Sequence, residues 1–236
     1  MRKTRVVSAF VIAFVLALGA GLPASAKLIS QSSELSMGRD AARQIEAKYP
    51  VSHDTALNNL VRRMGTKIAS VSSRPGITWT FKVLNTPEVN ALSVPGYVYV
   101  NKGLISFVGS DRDQLATIVA HEVAHTTARH AAEQAEKSLI GGAIVSLLFK
   151  KQTQMVNLFA NLAMLGYSRK DEYEADKLGV RYAHKAGYDP NGMLRFLQRL
   201  QAKQGLGSSG LGTYFKTHPP TADRIGLVRK EIANLP

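Results

Sequence analysis

The stretch DRDQLATIVAHEVAH, residues 111–125, decides the fold of this chain. Its apolar residues recur at three- and four-residue spacing, which predicts an amphipathic helix with one face against a core. Ser110 or Asp111 can cap the first turn of that helix with a side-chain oxygen. We expect the helix to extend to about residue 137, and it carries two histidines one turn apart.

Outward from this helix, the sequence predicts further helices around one small sheet. Helical spacing, caps and helix-breaking prolines indicate helices over residues 36–49, 54–73, 168–186, from 190 onward, and 221–234. Alternating apolar residues predict a strand at 77–83 and a second short strand at 97–101, with a loop at 85–95 between them. This arrangement is an α+β fold that is mostly helical.

Two apolar segments, residues 139–149 and 155–165, are each shorter than the ~20 residues that a helix needs to cross a bilayer. We expect core or lid helices there, with shallow membrane contact as the alternative. The Gly/Ser-rich stretch at 205–212 predicts a mobile loop.

Residues 1–26 have the order of an export signal. Three cations precede an apolar stretch at 6–18, and helix-breaking residues then lead to Ala24-Ser25-Ala26. The apolar stretch is too short for a membrane span, although a retained anchor is the alternative. We therefore expect cleavage after Ala26, export, a single domain over residues 27–236, and a periplasmic location if the source is a diderm bacterium.

The composition excludes several classes of protein. The chain of 236 residues has no Cys, which excludes a disulfide scaffold, a thiolate nucleophile, Cys-ligated zinc and an anchor attached to a lipid-modified Cys. The formal net charge is +13, but the cations are scattered and no basic segment is interleaved with aromatic residues. We expect no nucleic-acid partner and at most peripheral membrane contact.

His121-Glu122-Val123-Ala124-His125 is an HExxH motif. A helix advances by about 100° per residue, so His121 and His125 lie within about 40° of each other, one turn apart. Two neutral imidazoles on one face can hold one zinc ion. Glu122 lies at the edge of that face, where its carboxylate can take a proton from an attacking water and pass it to a leaving amine. The alternative is a solvated helix face with two histidines.

A catalytic zinc needs a third protein ligand and an open position. His130 would face away from the pair on a continuous helix, so we expect it to be a surface or packing residue. The segment SRKDEYEAD, residues 168–176, places Glu172 and Asp176 on one helix face. The economical assignment is that Glu172 binds the metal and that Asp176 accepts a hydrogen bond from the free N–H of a ligand histidine. The alternative is an acidic helix on the protein surface.

These motifs together resemble the gluzincin zinc metallopeptidases of the HtpX and CAAX-prenyl-protease type. The resemblance spans roughly residues 35–235 and is carried by HExxH, the later S-R-x-x-E-x-x-x-D, NALSVPG at 90–96, VYV at 98–100, GL at 103–104 and HPPTADR at 218–224. It implies a zincin-like fold with the small sheet beside the active-site helix. It also implies one Zn²⁺ per chain and a substrate along the strand near residues 97–100.

The resemblance implies roles for individual residues. His121, His125 and Glu172 would be the zinc ligands, and Glu122 the general base and acid, with Asp176 part of the catalytic machinery. His218 would approach the zinc and act as a gate by occupying the open position. The alternative is that His218 is a turn residue before two prolines. Arg224 and Asn90 are candidates for positioning His218 or the substrate.

In plan the chain resembles the soluble periplasmic BepA-type members of this family, and we expect no tetratricopeptide repeats after its catalytic domain. These members imply a zinc endopeptidase that cleaves exposed or unfolded segments of envelope proteins in protein quality control, with outer-membrane assembly components as candidate partners. The alternative is a non-proteolytic, zinc-stabilised chaperone or assembly factor. The intact Glu122 argues against the alternative, because a protein that only binds has no need of a general base.

Overall fold

In a computed structural model of the chain, the described residues are 28–141, 160, 166–203, 211–218 and 222–236. The predicted export signal, most of both apolar segments and most of the Gly/Ser-rich loop lie outside them. Residues from Gln31 to Pro236 form one compact unit. Within the described ranges, every helix is too short or too polar to cross a membrane.

The described elements follow one another as helices around a short sheet. They are α1 (Gln31–Lys48), α2 (Thr55–Ser70), β1 (Thr80–Leu84), β2 (Ala91–Val94), β3 (Tyr97–Asn101), α3 (Lys102–Val108), α4 (Arg112–Thr127), α5 (His130–Gly141), α6 (Arg169–Lys185), α7 (Asn191–Lys203), α8 (Gly212–Thr217) and α9 (Ala222–Ala233). The predicted α+β, zincin-like layout is confirmed, since β2 and β3 pack beside α4. The two short helices α3 and α8 were not predicted.

Among the described residues, three strands form the sheet in the order β1-β3-β2. β3 pairs with β1 in parallel and with β2 antiparallel, so β3 is the central strand. The expectation that a substrate lies along β3 is wrong, because both edges of β3 already have partners. The predicted loop at 85–95 is also wrong in part, since β2 lies within it. All four residues of β2 are buried, so the sequence shows no alternation there.

Helix α4 is the centre of the core. Its residues from Gln114 to Thr127 are all buried, because α2, α6, α7 and the sheet surround it. It is therefore buried around its whole circumference rather than amphipathic. The backbones of α4 and α6 approach closely at Gly179, where a Cβ atom would lie 2.9 Å from the backbone nitrogen of His121. This contact brings the acidic face of α6 against the histidines of α4.

The predicted continuation of α4 to residue 137 is wrong, because the helix ends at Thr127 and α5 begins at His130. Arg129 between them has a φ of 63°, a left-handed conformation that a helix cannot contain. The turn is stabilised by the fully buried Glu34 of α1, whose Oε2 lies 3.0 Å from Arg129 Nε. Arg74 lies 3.0 Å from the other oxygen of Glu34 and donates to the carbonyl of Thr126.

Helix α6 begins as predicted. Ser168 caps it, and its side chain accepts a hydrogen bond from the Asp171 backbone while Asp171 accepts one from the Ser168 backbone. This capping box fixes the first turn, in which Glu172 lies.

Candidate metal centre

Four buried side chains converge at the interface between α4 and α6. They are His121 and His125 of α4, Glu172 of α6, and His218, which directly follows α8. One ligand atom from each lies within 4.8 Å of the others. The structure thus brings together the three residues expected to bind a metal and the residue expected to act as a gate.

The distances among the three expected ligands fit a small cation. The Nε2 atoms of His121 and His125 are 3.0 Å apart. Glu172 Oε1 lies 3.3 Å from His125 Nε2, and Glu172 Oε2 lies 3.6 Å from His121 Nε2. A tetrahedral zinc site with bonds of about 2.0–2.1 Å has ligand atoms about 3.3 Å apart. Two imidazoles and a carboxylate are also the donor types that zinc prefers.

Asp176 lies behind the first histidine. Its Oδ1 is 3.0 Å from His121 Nδ1, on the far side of the ring from the other ligand atoms. A hydrogen on Nδ1 is drawn to this carboxylate, which leaves the lone pair on Nε2 free to bind a metal.

Arg224 of α9 is buried between the two carboxylates of α6. It donates to Asp176 from Nε at 2.7 Å and from Nη2 at 2.8 Å, and its Nη1 lies 3.1 Å from Glu172 Oε2. Burial alone would raise the pKa of Asp176, but the guanidinium charge holds this pKa below its usual value. Arg224 was expected to position His218 or the substrate, and the contacts seen here are with the two carboxylates.

The two histidines of the motif have different electrostatic surroundings. Burial lowers the pKa of His125 to about 3, so this imidazole is neutral. Burial acts in the same direction on His121, but its contacts with Asp176 and Glu172 outweigh it and raise the pKa of His121 to about 10. Contacts with three imidazoles hold the pKa of Glu172 well below its usual value despite burial. Glu172 and Asp176 thus favour a positive charge beside them, which a bound cation would supply.

Glu122 lies beside the converging ligand atoms without joining them. Ser93 of β2 donates a hydrogen bond of 2.9 Å to Glu122 Oε2. The other oxygen, Oε1, lies 3.4 Å from His218 Nε2. Sequence reasoning missed the role of Ser93, because β2 was interpreted as a loop.

His218 fills the space between the metal ligands and Glu122. Its Nδ1 is 3.1 Å from Glu172 Oε1, and its Nε2 is 3.4 Å from the backbone oxygen of Ala91 at the start of β2. Asn90 does not belong to the group of four. Its Oδ1 accepts a hydrogen bond from Thr217, the residue before His218, so it contacts the segment that carries the histidine.

Two further residues contact His125. His130 Nδ1 lies 2.9 Å from His125 Nδ1, and the ring of Tyr167 stacks on that of His125 with 4.0 Å between centroids. The expectation that His130 faces away is wrong, because the left-handed turn at Arg129 redirects the chain. Helical periodicity gives no signal for either contact.

The comparisons with known proteins agree with this geometry. A family model described as Peptidase family M48 matches residues 55–232. The chain is 38% identical over 164 residues to the mitochondrial metalloendopeptidase OMA1 of Arabidopsis thaliana, covering 68% of this chain and 33% of that protein. It is 27% identical over 215 residues to the beta-barrel assembly-enhancing protease of Escherichia coli (strain K12), covering 85% and 44%.

A third relative is the mitochondrial metalloendopeptidase OMA1 of Schizosaccharomyces pombe, 31% identical over 212 residues and covering 86% of this chain and 62% of that protein. The chain thus spans between one third and somewhat less than two thirds of the length of these relatives.

Proposed function

Because this chain belongs to peptidase family M48, we propose that it is a zinc-dependent endopeptidase that hydrolyses exposed or unfolded segments of exported proteins. The observation that supports this proposal is the convergence of His121, His125 and Glu172 with the carboxylate of Glu122 beside them. A pair of imidazoles and a carboxylate around one point, next to a further carboxylate, is the arrangement that metal-assisted hydrolysis needs.

The three convergent residues would hold the metal. Zinc bound there would supply Lewis acidity, which lowers the pKa of water and polarises the carbonyl of the scissile peptide. Asp176 orients His121, and Arg224 in turn fixes Asp176 and Glu172 by its buried hydrogen bonds and ion pair. We assign both residues a positioning role, because each contacts the side chain of an expected metal ligand.

Glu122 would be the general base and acid. Its carboxylate takes a proton from the water that attacks the carbonyl carbon, and the same proton is delivered to the amine nitrogen as the carbon–nitrogen bond breaks. Ser93 keeps one oxygen of Glu122 in a hydrogen bond, so the other oxygen is the one available for proton transfer. The proposed water position lies where His218 Nε2 now approaches Glu122.

The substrate would bind as an added strand beside β2. In the part of the chain that the structure describes, the edge of β2 opposite β3 has no strand partner. Main-chain hydrogen bonds along such an edge give affinity with little dependence on side chains, which suits unfolded segments of varied sequence. The backbone oxygen of Ala91, at the start of β2, contacts Nε2 of His218, and His218 in turn contacts the ligand cluster.

We place this activity in the cell envelope, as quality control of exported or outer-membrane proteins. The signal-like order of residues 1–26 and the name of the Escherichia coli relative support this placement. N-terminal sequencing of the protein recovered from the envelope fraction tests it.

A cleavage assay tests the proposed function directly. The purified protein should degrade unfolded casein, lose this activity when a chelator removes the metal, and regain it when zinc is added. Cleavage that persists in the fully chelated protein would contradict a metal-dependent mechanism. Failure of wild-type protein to cleave casein, peptides or unfolded outer-membrane proteins after zinc loading would argue against the endopeptidase.

We propose that His218 is a gate that keeps the site closed until a substrate displaces it. His218→Ala should then raise kcat/KM for casein, because the variant has no imidazole that must move away. If the gate is open about 10% of the time, the expected increase is about tenfold. The matched control is His53→Ala, which removes an exposed imidazole and should leave kcat/KM for casein unchanged. Unchanged or lower activity of His218→Ala at equal zinc content would contradict gating.

A further inference from the structure

We propose that His130 is a positioning residue for the metal centre: it accepts the Nδ1 hydrogen of His125 and so directs the Nε2 lone pair of His125 toward the cation. The inference rests on the zinc site proposed above. It assigns a task to a residue outside the HExxH motif and outside the carboxylate-bearing face of α6.

The contact between the two histidines can hold only one hydrogen. The two Nδ1 atoms are 2.9 Å apart and both rings are almost completely buried, so no water separates them. A metal ligand must present a lone pair, and His125 Nε2 is the atom that faces the cluster. The hydrogen of a neutral His125 is therefore on Nδ1, and His130 Nδ1 must be the acceptor.

The surroundings of His130 favour the matching tautomer. With Nδ1 as acceptor, its own hydrogen lies on Nε2, where the carboxylate of Glu174 attracts it from 3.6 Å, beyond hydrogen-bond distance. Both ligand histidines thus have an acceptor behind them, Asp176 for His121 and His130 for His125. A neutral imidazole orients His125 without adding another buried carboxylate to Glu122, Glu172 and Asp176.

Stacking by Tyr167 does not make this role redundant. The phenol ring covers one face of the His125 imidazole, with 19° between the ring planes, and so restricts the tilt of the imidazole. A ring contact of this kind does not decide which nitrogen carries the hydrogen. That choice depends on the acceptor at the edge of the ring, where His130 lies.

An unfavourable backbone conformation at Arg129 places His130 in contact with His125. On a continuous helix His130 would be about 140° from His125. The left-handed Arg129, a conformation unfavourable for a residue other than glycine, instead separates α4 from α5, which starts at His130. The buried carboxylate of Glu34 holds this turn through Arg129 and Arg74. Such conformations cluster at functional sites, where the surrounding structure enforces them.

Zinc affinity, measured by competition with a chromophoric chelator, tests the proposal with a matched pair of variants. His130→Leu and His130→Asn have side chains of similar shape, but only Asn offers an acceptor near the position of Nδ1. We expect His130→Leu to weaken zinc binding by about 10–100-fold, as for other residues that orient metal ligands. His130→Asn should recover most of the affinity, and its Co²⁺ form should keep the wild-type visible spectrum.

Other outcomes separate this inference from the proposed function. Wild-type affinity in His130→Leu, or equal losses in the Leu and Asn variants, would overturn the inference and leave the zinc site intact. Failure of the wild-type protein to bind zinc would instead overturn the proposed function. His130→Phe, which retains a ring of similar volume, replaces the Leu variant if that variant does not fold. His184→Phe, at a half-buried position on α6, should leave affinity unchanged.

Discussion

Glu122→Gln should lower kcat for casein cleavage by about 10²–10⁴-fold, the usual contribution of a general base, while the protein still binds zinc. The amide keeps the shape of the side chain and can still contact Ser93, but it cannot take a proton from water. Zinc binding should persist because Glu122 is not among the four convergent ligand groups. Steady-state kinetics and metal analysis of the purified variant measure the two quantities.

Glu133→Gln is the matched control for this prediction. Glu133 is an exposed carboxylate on α5, and its replacement should leave cleavage unchanged. Peptide hydrolysis retained by Glu122→Gln at wild-type zinc content would exclude the assigned role. Protection of unfolded envelope proteins by both wild-type protein and Glu122→Gln, with no cleavage by either, would favour the chaperone alternative.

Arg224→Met should lower the free energy of unfolding of the metal-free protein by about 3–5 kcal/mol. The guanidinium is almost fully buried and contacts the carboxylates of Asp176 and Glu172. Without it, two buried negative charges remain close together with less compensation. Urea unfolding of the metal-free and zinc-loaded proteins measures the effect. The loss should be smaller with zinc, because the cation balances part of the same charge.

Arg229→Met serves as the control on the same helix. Arg229 is exposed, so its replacement should change the free energy of unfolding by no more than about 0.5 kcal/mol. Equal changes in the free energy of unfolding for Arg224→Met and Arg229→Met would show that the buried ion pairs contribute little to stability.

The parts of the site that were predictable from the sequence depend on helical spacing. His121 and His125 share a face because four residues make about one turn, and Glu172 and Asp176 do so for the same reason. A helix was also predicted to begin at Ser168, and Ser168 caps α6 in the structure. Each inference concerns residues within a single helix, where local geometry determines the outcome.

The parts that were not predictable depend on contacts between distant segments. The turn at Arg129 requires Glu34, 95 residues earlier in the chain, so the helical pattern gave no sign that His130 would contact His125. Strand β2 is buried on both faces and lacks the alternation that identifies a half-exposed strand. The role of Ser93 and the position of β2 at the edge of the described sheet were therefore missed. His218 reaches the cluster through the tertiary placement of α8, which no spacing rule specifies.

The contact at Gly179 has a consequence for how the chain can diverge. The separation of α4 from α6 is limited there by main-chain atoms, since even one added carbon would lie 2.9 Å from a neighbouring backbone nitrogen. The distance between the histidines of α4 and the carboxylates of α6 is thus set by the backbone. Exposed residues of α6 can be exchanged over evolutionary time, altering charge or solubility, without moving the histidine pair relative to Glu172.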